Sequence, residues 1–371
     1  METATASAPP PRRRRWLRFT LFGLGLVLAS VGGFTLRTLW RAGAFRSIEP
    51  HFAGRCRLIE GAVGSEDLTI DERSGRAYIS STDRRAAMAG RPVPGAIYAY
   101  DLDAPDAAPI NLTPEAGVSF QPHGISLWPQ PDGGAVLFVI NHPAPSSGFP
   151  RHTVEIFDVG PTALTHRATL TDPRLVMPND LVAVAADRFY LTNTHANPLG
   201  WRQTMETYLQ MRGAQILSYG PGGFRVAAAD QLFPNGINAS RDGRTIYAAS
   251  VTGLSLLVFD RDPATDALTL REEVPIGSGG DNIEVDGDGA LWIGSHPKLL
   301  AVGPHTEDPA NLAPAQVLRV APGGAGGWTV DEIYLSEGKP LGAASVAARR
   351  GKRLLIGQIM GDGILDCEME D

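Results

Sequence analysis

The sequence lacks the Gly-x-Ser-x-Gly elbow that presents a serine nucleophile, and it has only two cysteines in 371 residues, Cys56 and Cys367. Both absences argue against a covalent acyl-enzyme. Long helical periodicities are scarce beyond the N-terminal segment, whereas Gly 42 and Pro 29 mark many turns, which favours an all-β chain. Positive charge is in short supply once the first 50 residues are set aside. Those carry eight Arg and two Glu, a net of +6, so a whole-chain charge of −7 leaves −13 on the other 321 residues. An acidic body of that kind is a poor nucleic-acid binder and a reasonable host for divalent cations, although general solubility explains the charge equally well.

One long hydrophobic run is present. Residues 1–18 read as a disordered, basic N-terminus that closes on Arg12-Arg13-Arg14-Arg15 and Arg18, and Phe19 to Leu36 then carry no charge. Eighteen residues of helix span about 27 Å, enough for a hydrocarbon core. Residues 19–41 are expected to be a signal anchor, the basic flank staying in the cytoplasm and everything downstream being exported. Cleavage at Ala42-Gly43-Ala44 would make the run a signal peptide instead. In an exported chain, two cysteines that bracket the folded region suggest one disulfide tying its ends, with two unrelated free thiols as the alternative.

Within the acidic body a unit recurs six times: a polar turn, a short β-branched, aromatic or aliphatic strand, then a small polar residue. The copies are SGRAYISS (74–81), DGGAVLFVI (132–140), ADRFYLTN (186–193), DGRTIYAAS (242–250), DGALWIGS (288–295) and GKRLLIGQ (351–358). Further strand candidates lie between them, among them AIYAYDL (96–102), HTVEIFDV (152–159) and LSLLVFDR (254–261). Four strands in about 50 residues, six times over, predict an all-β, six-bladed propeller across residues 42–371, with a β-sandwich or two stacked β domains as the alternative. NPLGWRQTMETYLQMRG (197–213) breaks the pattern. Its apolar spacing predicts an amphipathic helix closed by Gly213, lying over a channel, on a membrane surface or against the core.

Acidic and amide residues recur against apolar or glycine-bearing strands: Glu66 and Asp67 in GSEDLTI, Asn179 and Asp180 in MPNDLVAV, Asn235 in FPNGIN, Asp281 and Asn282 in GGDNIEV. Such groups are costly to bury unless something satisfies them. They offer oxygen, which is what calcium requires, at about six to eight ligands per ion. A propeller would gather these distant segments on one axis. Glu66, Asn179, Asn235, Asp281 and Asn282 then read as one calcium cage. Asp67 and Asp180, facing the opposite side of their strands, read as ligands of a second ion. Taken singly, each residue is equally a turn cap. His123 in QPHGIS and His142 in VINHP are structural histidines if read alone. As a pair they form a proton relay that activates water against a calcium-polarised ester or lactone carbonyl.

At these residues the chain resembles the paraoxonase family, the calcium-dependent lactonases and arylesterases of six-bladed propeller fold. The likeness runs from about Cys56 to Cys367 and rests on GSEDL, PHGIS, NHP, PNDLVAV, FYLTN, NGIN, DNI–VD, LWIGSHP and LLIG in that order. It implies two calcium ions: a catalytic one on Glu66, Asn179, Asn235, Asp281 and Asn282, and a structural one on Asp67, Asp180 and the main-chain carbonyl of Ile125. It further implies a dyad of His123 and His142, with Glu66 or Asp281 as the rival base, and a pocket lined by His195, Phe233 and His296. A ring-closing Cys56–Cys367 disulfide and an uncleaved hydrophobic N-terminus are also implied. Ser295 stands where mammalian members often carry a free cysteine, Thr194 where an aspartate is usual, and the loop after Ser81 (TDRRAAMAGRPVPG) differs. The expectation is an exported, membrane-anchored hydrolase of lactones with arylesterase and organophosphate side activity. Its partners would be a small lactone or ester and a membrane, with no nucleic acid. The rivals are a non-catalytic calcium-stabilised propeller that binds a partner, and a sugar-lactone hydrolase or strictosidine-synthase-like propeller.

Overall fold

The computed structural model describes residues 12–117, 119–143 and 152–370. Six antiparallel sheets are arranged as blades around one axis, and the innermost strand of each touches the innermost strands of its two neighbours. Those inner strands are Leu68–Asp71, Pro122–Pro129, Pro178–Ala185, Pro234–Ala239, Gly279–Val285 and Ala344–Arg350. The six recurring units form the second strands of the blades: Arg76–Ser81, Ala135–Asn141, Arg188–Asn193, Thr245–Ser250, Leu291–His296 and Arg353–Gln358. Burial explains why these were the legible ones. A second strand is covered by sheet on both sides and by neighbouring blades on both faces, so it reads as an unbroken apolar run. Every residue of Ala135–Asn141 is buried, whereas the outermost strand Leu268–Pro275 is mostly exposed.

The ring closes on itself. The last blade takes its outer strand, Gly54–Val63, from the start of the body, paired antiparallel with Asp362–Met369. Cys56 and Cys367 lie directly opposite each other in that pair and are joined by a disulfide across 311 residues. A loop of that length is where the chain-entropy account gives a cross-link its greatest effect.

Three helices decorate the face of the ring that carries the candidate site. They are α2 (Arg84–Met88), α3 (Trp201–Tyr208) and α4 (Leu299–Glu307), and the long α1 (Arg12–Arg41) leads into the same face. Helix α1 begins at Arg12, so the disordered segment expected over residues 1–18 is corrected from Arg12 onward; residues 1–11 lie outside the described residues. Arg18–Arg41 is the one described helix long and apolar enough to cross a membrane, with a mean hydropathy of 1.9 and none of that window buried. Helix α3 is shorter than the expected 197–213. It stops at Tyr208, and Gln210 adopts a left-handed φ of 52°, so the chain has left the helix before Gly213. Its apolar residues Trp201, Met205 and Tyr208, with Leu199, Leu209 and Met211 beside them, are exposed.

Candidate metal centre and active site

Five of the six inner strands slip register against their partners, between Pro122 and Ile125, Pro178 and Leu181, Pro234 and Ile237, Gly280 and Ile283, and Ala344 and Val346. A bulge re-aims side chains at a strand end. In four of the five strands it falls on residues singled out from sequence: His123, Asn179-Asp180, Asn235 and Asp281-Asn282. Glycine makes the close approach feasible. A Cβ at Gly124 would sit 2.5 Å from the carbonyl oxygen of Asn179, and one at Gly236 would sit 2.2 Å from that of Asp281.

The structure gathers the expected upper ligand set. Glu66, Asn235, Asp281 and Asn282 are buried, and Asn179 is partly so. Asn282 Nδ2 donates to Oε1 of Glu66 at 3.0 Å and to its carbonyl at 3.1 Å, and Asp281 Oδ2 lies 2.9 Å from Nε2 of His296. What is left over is the informative part. Glu66 Oε2, Asn179 Oδ1, Asn235 Oδ1 and Asn282 Oδ1 are all buried without a hydrogen-bond partner. Such orphans are rare because each forfeits its hydration. Four unsatisfied acceptor oxygens are of the kind that a hard divalent cation takes. Burial, and then the charge of Asp281, push the Glu66 carboxyl up to about 8.

One layer deeper, Asp67 Oδ2 accepts from the N–H of Ile125 at 2.6 Å and Asp180 Oδ2 from that of Ile237 at 2.7 Å. Asp180 therefore reaches from its own inner strand, and Asp67 from just before Leu68–Asp71, to the inner strand of the next blade. Burial first, and the neighbouring carboxylates second, hold both well above the ordinary aspartate range. The group of Ile125 engaged here is its N–H.

His123 and His142 meet edge to face with ring centroids 4.9 Å apart. His123 Nε2 lies 3.1 Å from Asn179 Nδ2 and 3.4 Å from Glu66 Oε1, so the ring abuts the ligand set. Burial lowers both imidazoles well below their usual value, helped by the Arg84 guanidinium at His123 and by His152 and then Arg84 at His142. Arg84 was not legible in the sequence as a site residue. Its guanidinium donates to the carbonyls of Gly64 and Ile359 at 3.0 and 3.1 Å and to Nδ1 of His123 at 3.1 Å. His152 was missed as well: its Nδ1 is 2.7 Å from Nδ1 of His142.

Above the ligand set opens a cavity of about 400 Å³. Glu66, His123, Asn179, Asn235, Asp281 and His296 form its polar floor, and Val251, Leu254, Leu299, Leu300, Val302 and Ile359 form much of its apolar wall. Phe233, held at a left-handed φ of 42°, also lines it; an aromatic residue in that region marks stored strain at a shaped surface. His195 is a correction. It stacks behind Phe233 with centroids 4.5 Å apart, bonds the hydroxyls of Thr194 and Thr207 at 2.9 and 2.8 Å, and supports the wall without lining it. Thr194 thus fills its position as the hydrogen-bond partner of a buried imidazole.

The domain boundary expected at residue 42 cuts through this cavity, because Thr38, Arg41 and Ala42 form part of its wall. Arg41 donates to the carbonyl of Gly253 at 2.9 Å, and the carbonyl of Ala42 accepts from the N–H of Leu299 at 3.0 Å. A chain beginning at Ala44 keeps all six blades and the disulfide and is expected to fold. Its KM for long-chain apolar substrates should nevertheless rise several-fold relative to the full chain. Equal KM values in side-by-side kinetics would show that the end of α1 does not touch substrate.

Comparison with known proteins agrees with the geometry. The arylesterase family model matches residues 47–369. Human serum paraoxonase/arylesterase 1 is 32% identical over 363 residues, covering 95% of this chain and 99% of that protein. Rat serum paraoxonase/lactonase 3 is 32% identical over 358 residues, covering 93% and 98%. Among solved structures, a luciferin-regenerating enzyme superposes with a TM-score of 0.53 at 12% identity over 85% of this chain and 95% of its own. The calcium-binding protein regucalcin from Agrobacterium tumefaciens gives 0.50 at 17% identity over 86% and 96%. At those identities the two structures speak to the fold.

Proposed function

The chain belongs to the arylesterase family, and from that premise we propose that it is a calcium-dependent hydrolase of lactones, with aryl esters and organophosphates as side substrates. The class, a carboxylic ester hydrolase, follows from membership. The finer reading is carried by one observation: four unpartnered buried oxygens, three of them, of Glu66, Asn179 and Asn235, on residues that line a largely apolar cavity and the fourth on Asn282, which bonds Glu66. Together with Asp281 these residues would hold a catalytic ion, and Asp67, Asp180 and the carbonyl of Ile125 a structural one. Calcium, when bound, supplies a Lewis acid that polarises a carbonyl and answers the buried carboxylate charge.

The chain's own residues do the rest. Burial keeps His123 and His142 neutral at neutral pH, the form that accepts a proton from water. His296 holds the carboxylate of Asp281 through its Nε2, which orients that side chain toward the floor. The apolar wall of Val251, Leu254, Leu299, Leu300 and Ile359 would take an acyl chain and exclude water, so a lactone carrying such a chain, an acyl-homoserine lactone for instance, suits the cavity. Helix α1 would anchor the body to a membrane with the cavity face toward it, leaving the propeller on the exported side, and the exposed apolar residues of α3 would lie at that surface.

The test is a lactone and aryl-ester panel run on the purified chain with calcium, after chelation, and after restoring either calcium or magnesium. Turnover that is lost on chelation and returns with calcium alone supports the reading. Undiminished turnover after metal loss is verified by elemental analysis would overturn it.

A further inference from the structure

We propose that His152 is the third member of the histidine relay, a positioning residue that takes the proton from His142 and passes it to solvent; this rests on the hydrolase reading above. Ester or lactone hydrolysis adds water across a C–O bond. One proton goes to the departing oxygen, and the carboxylic acid that remains ionises, so each turnover at neutral pH releases one net proton. A site whose base lies at the floor of an apolar cavity needs a route for that proton.

The geometry supplies its outer part, from His142 to His152. His123 touches the ligand set, and its ring meets that of His142 edge to face at 4.9 Å. His142 Nδ1 is 2.7 Å from Nδ1 of His152, with ring centroids 4.7 Å apart and planes perpendicular. At that distance one nitrogen holds the proton and the other accepts it. His142 can then release a proton from Nδ1 to His152, and neither of these two rings has to move. His152 stands immediately before the strand Thr153–Val159, is only partly buried, and faces the main chain of Val176 through a ring N–H. The charged and titratable groups bearing on these rings are His152, which lowers His142 most after burial, and Arg84, which lowers His142 and His123 as well. Burial lowers His152 too.

The experiment compares His142→Gln, His152→Ala, His152→Gln and the double variant His142→Gln/His152→Ala, assayed on one lactone with thermal midpoints measured alongside. His152→Ala should lower kcat about tenfold to a hundredfold, below the range typical of a general base itself, with KM within about twofold. His152→Gln keeps a hydrogen-bonding side chain but cannot relay a proton, so it should be equally slow. Added imidazole should restore His152→Ala, and the double variant should be no slower than His142→Gln alone, as for residues acting in one chain. Wild-type kcat in His152→Gln would reduce the residue to a structural prop and overturn the relay. Multiplicative losses in the double variant would do the same. If His142→Gln itself turns over at the wild-type rate, the histidine reading fails and the relay with it, while calcium dependence stands untouched.

Discussion

Asp281→Ala is expected to lower kcat/KM for lactones and aryl esters by at least about a thousandfold. That corresponds to about 4 kcal/mol of transition-state stabilisation, within what a Lewis acid contributes. Asp281 is one of two carboxylates in the proposed upper cage, so its loss removes half the formal negative charge that would hold a dication. The variant also leaves Nε2 of His296 without its carboxylate at a place where Nδ1 already lacks a partner. Asp281→Asn retains an oxygen but not the charge and should fall between wild type and alanine. Calorimetric titration with calcium separates this account from a simple packing defect, because affinity should fall in the same order as activity. Wild-type calcium affinity in Asp281→Ala would remove Asp281 from the cage, whatever the rate does.

The parts of this molecule that the sequence made legible are those where burial is strong and local. The second strands are sheathed on every side, so Ala135–Asn141 and its five counterparts announce themselves as apolar runs. The ligand pairs were visible for a related reason. Carboxylates and carboxamides amid apolar residues, as in MPNDLVAV, must be satisfied by something. The residues that stayed hidden owe their role to tertiary placement. Arg84 sits in the loop after Ser81, which carries no site motif, and becomes a site residue only in the fold, where its guanidinium finds the carbonyls of Gly64 and Ile359 and Nδ1 of His123. Helix α4 carries Pro304 within it and lacks a clear apolar stripe, yet it supplies much of the cavity wall. His152 begins a strand that was recognised, but its partner His142 is ten residues earlier across a loop, a pairing that no periodicity encodes. The bulges that turn Asn179 and Asp281 inward are likewise a property of paired strands.

Removing metal should do more than stop turnover: it should change how stability depends on pH. The stripped protein buries Glu66, Asp67 and Asp180 around one axis, and burial together with mutual repulsion raises their folded-state pKa values, to about 8 for Glu66 against an ordinary 4.5. A carboxyl whose folded pKa is raised favours the folded state fully below its unfolded pKa. That contribution is lost as pH rises through the folded value, because the folded state binds more protons across the window. The chelated protein is therefore expected to be most heat-resistant near pH 5 and to lose thermal midpoint steadily toward pH 8. With calcium present the sign reverses. Metal binding requires the deprotonated carboxylates, so the loaded form gains on the stripped form as pH rises. Calcium at 100 times its dissociation constant adds about 2.7 kcal/mol, on the order of 5 °C or more for a domain of this size. Scanning calorimetry at pH 5, 6, 7 and 8, with calcium and with chelator, should give two curves that diverge with pH. Parallel curves would mean that the channel carboxylates are not the groups calcium engages, and the five-residue cage would have to be abandoned even if the enzyme needs the ion.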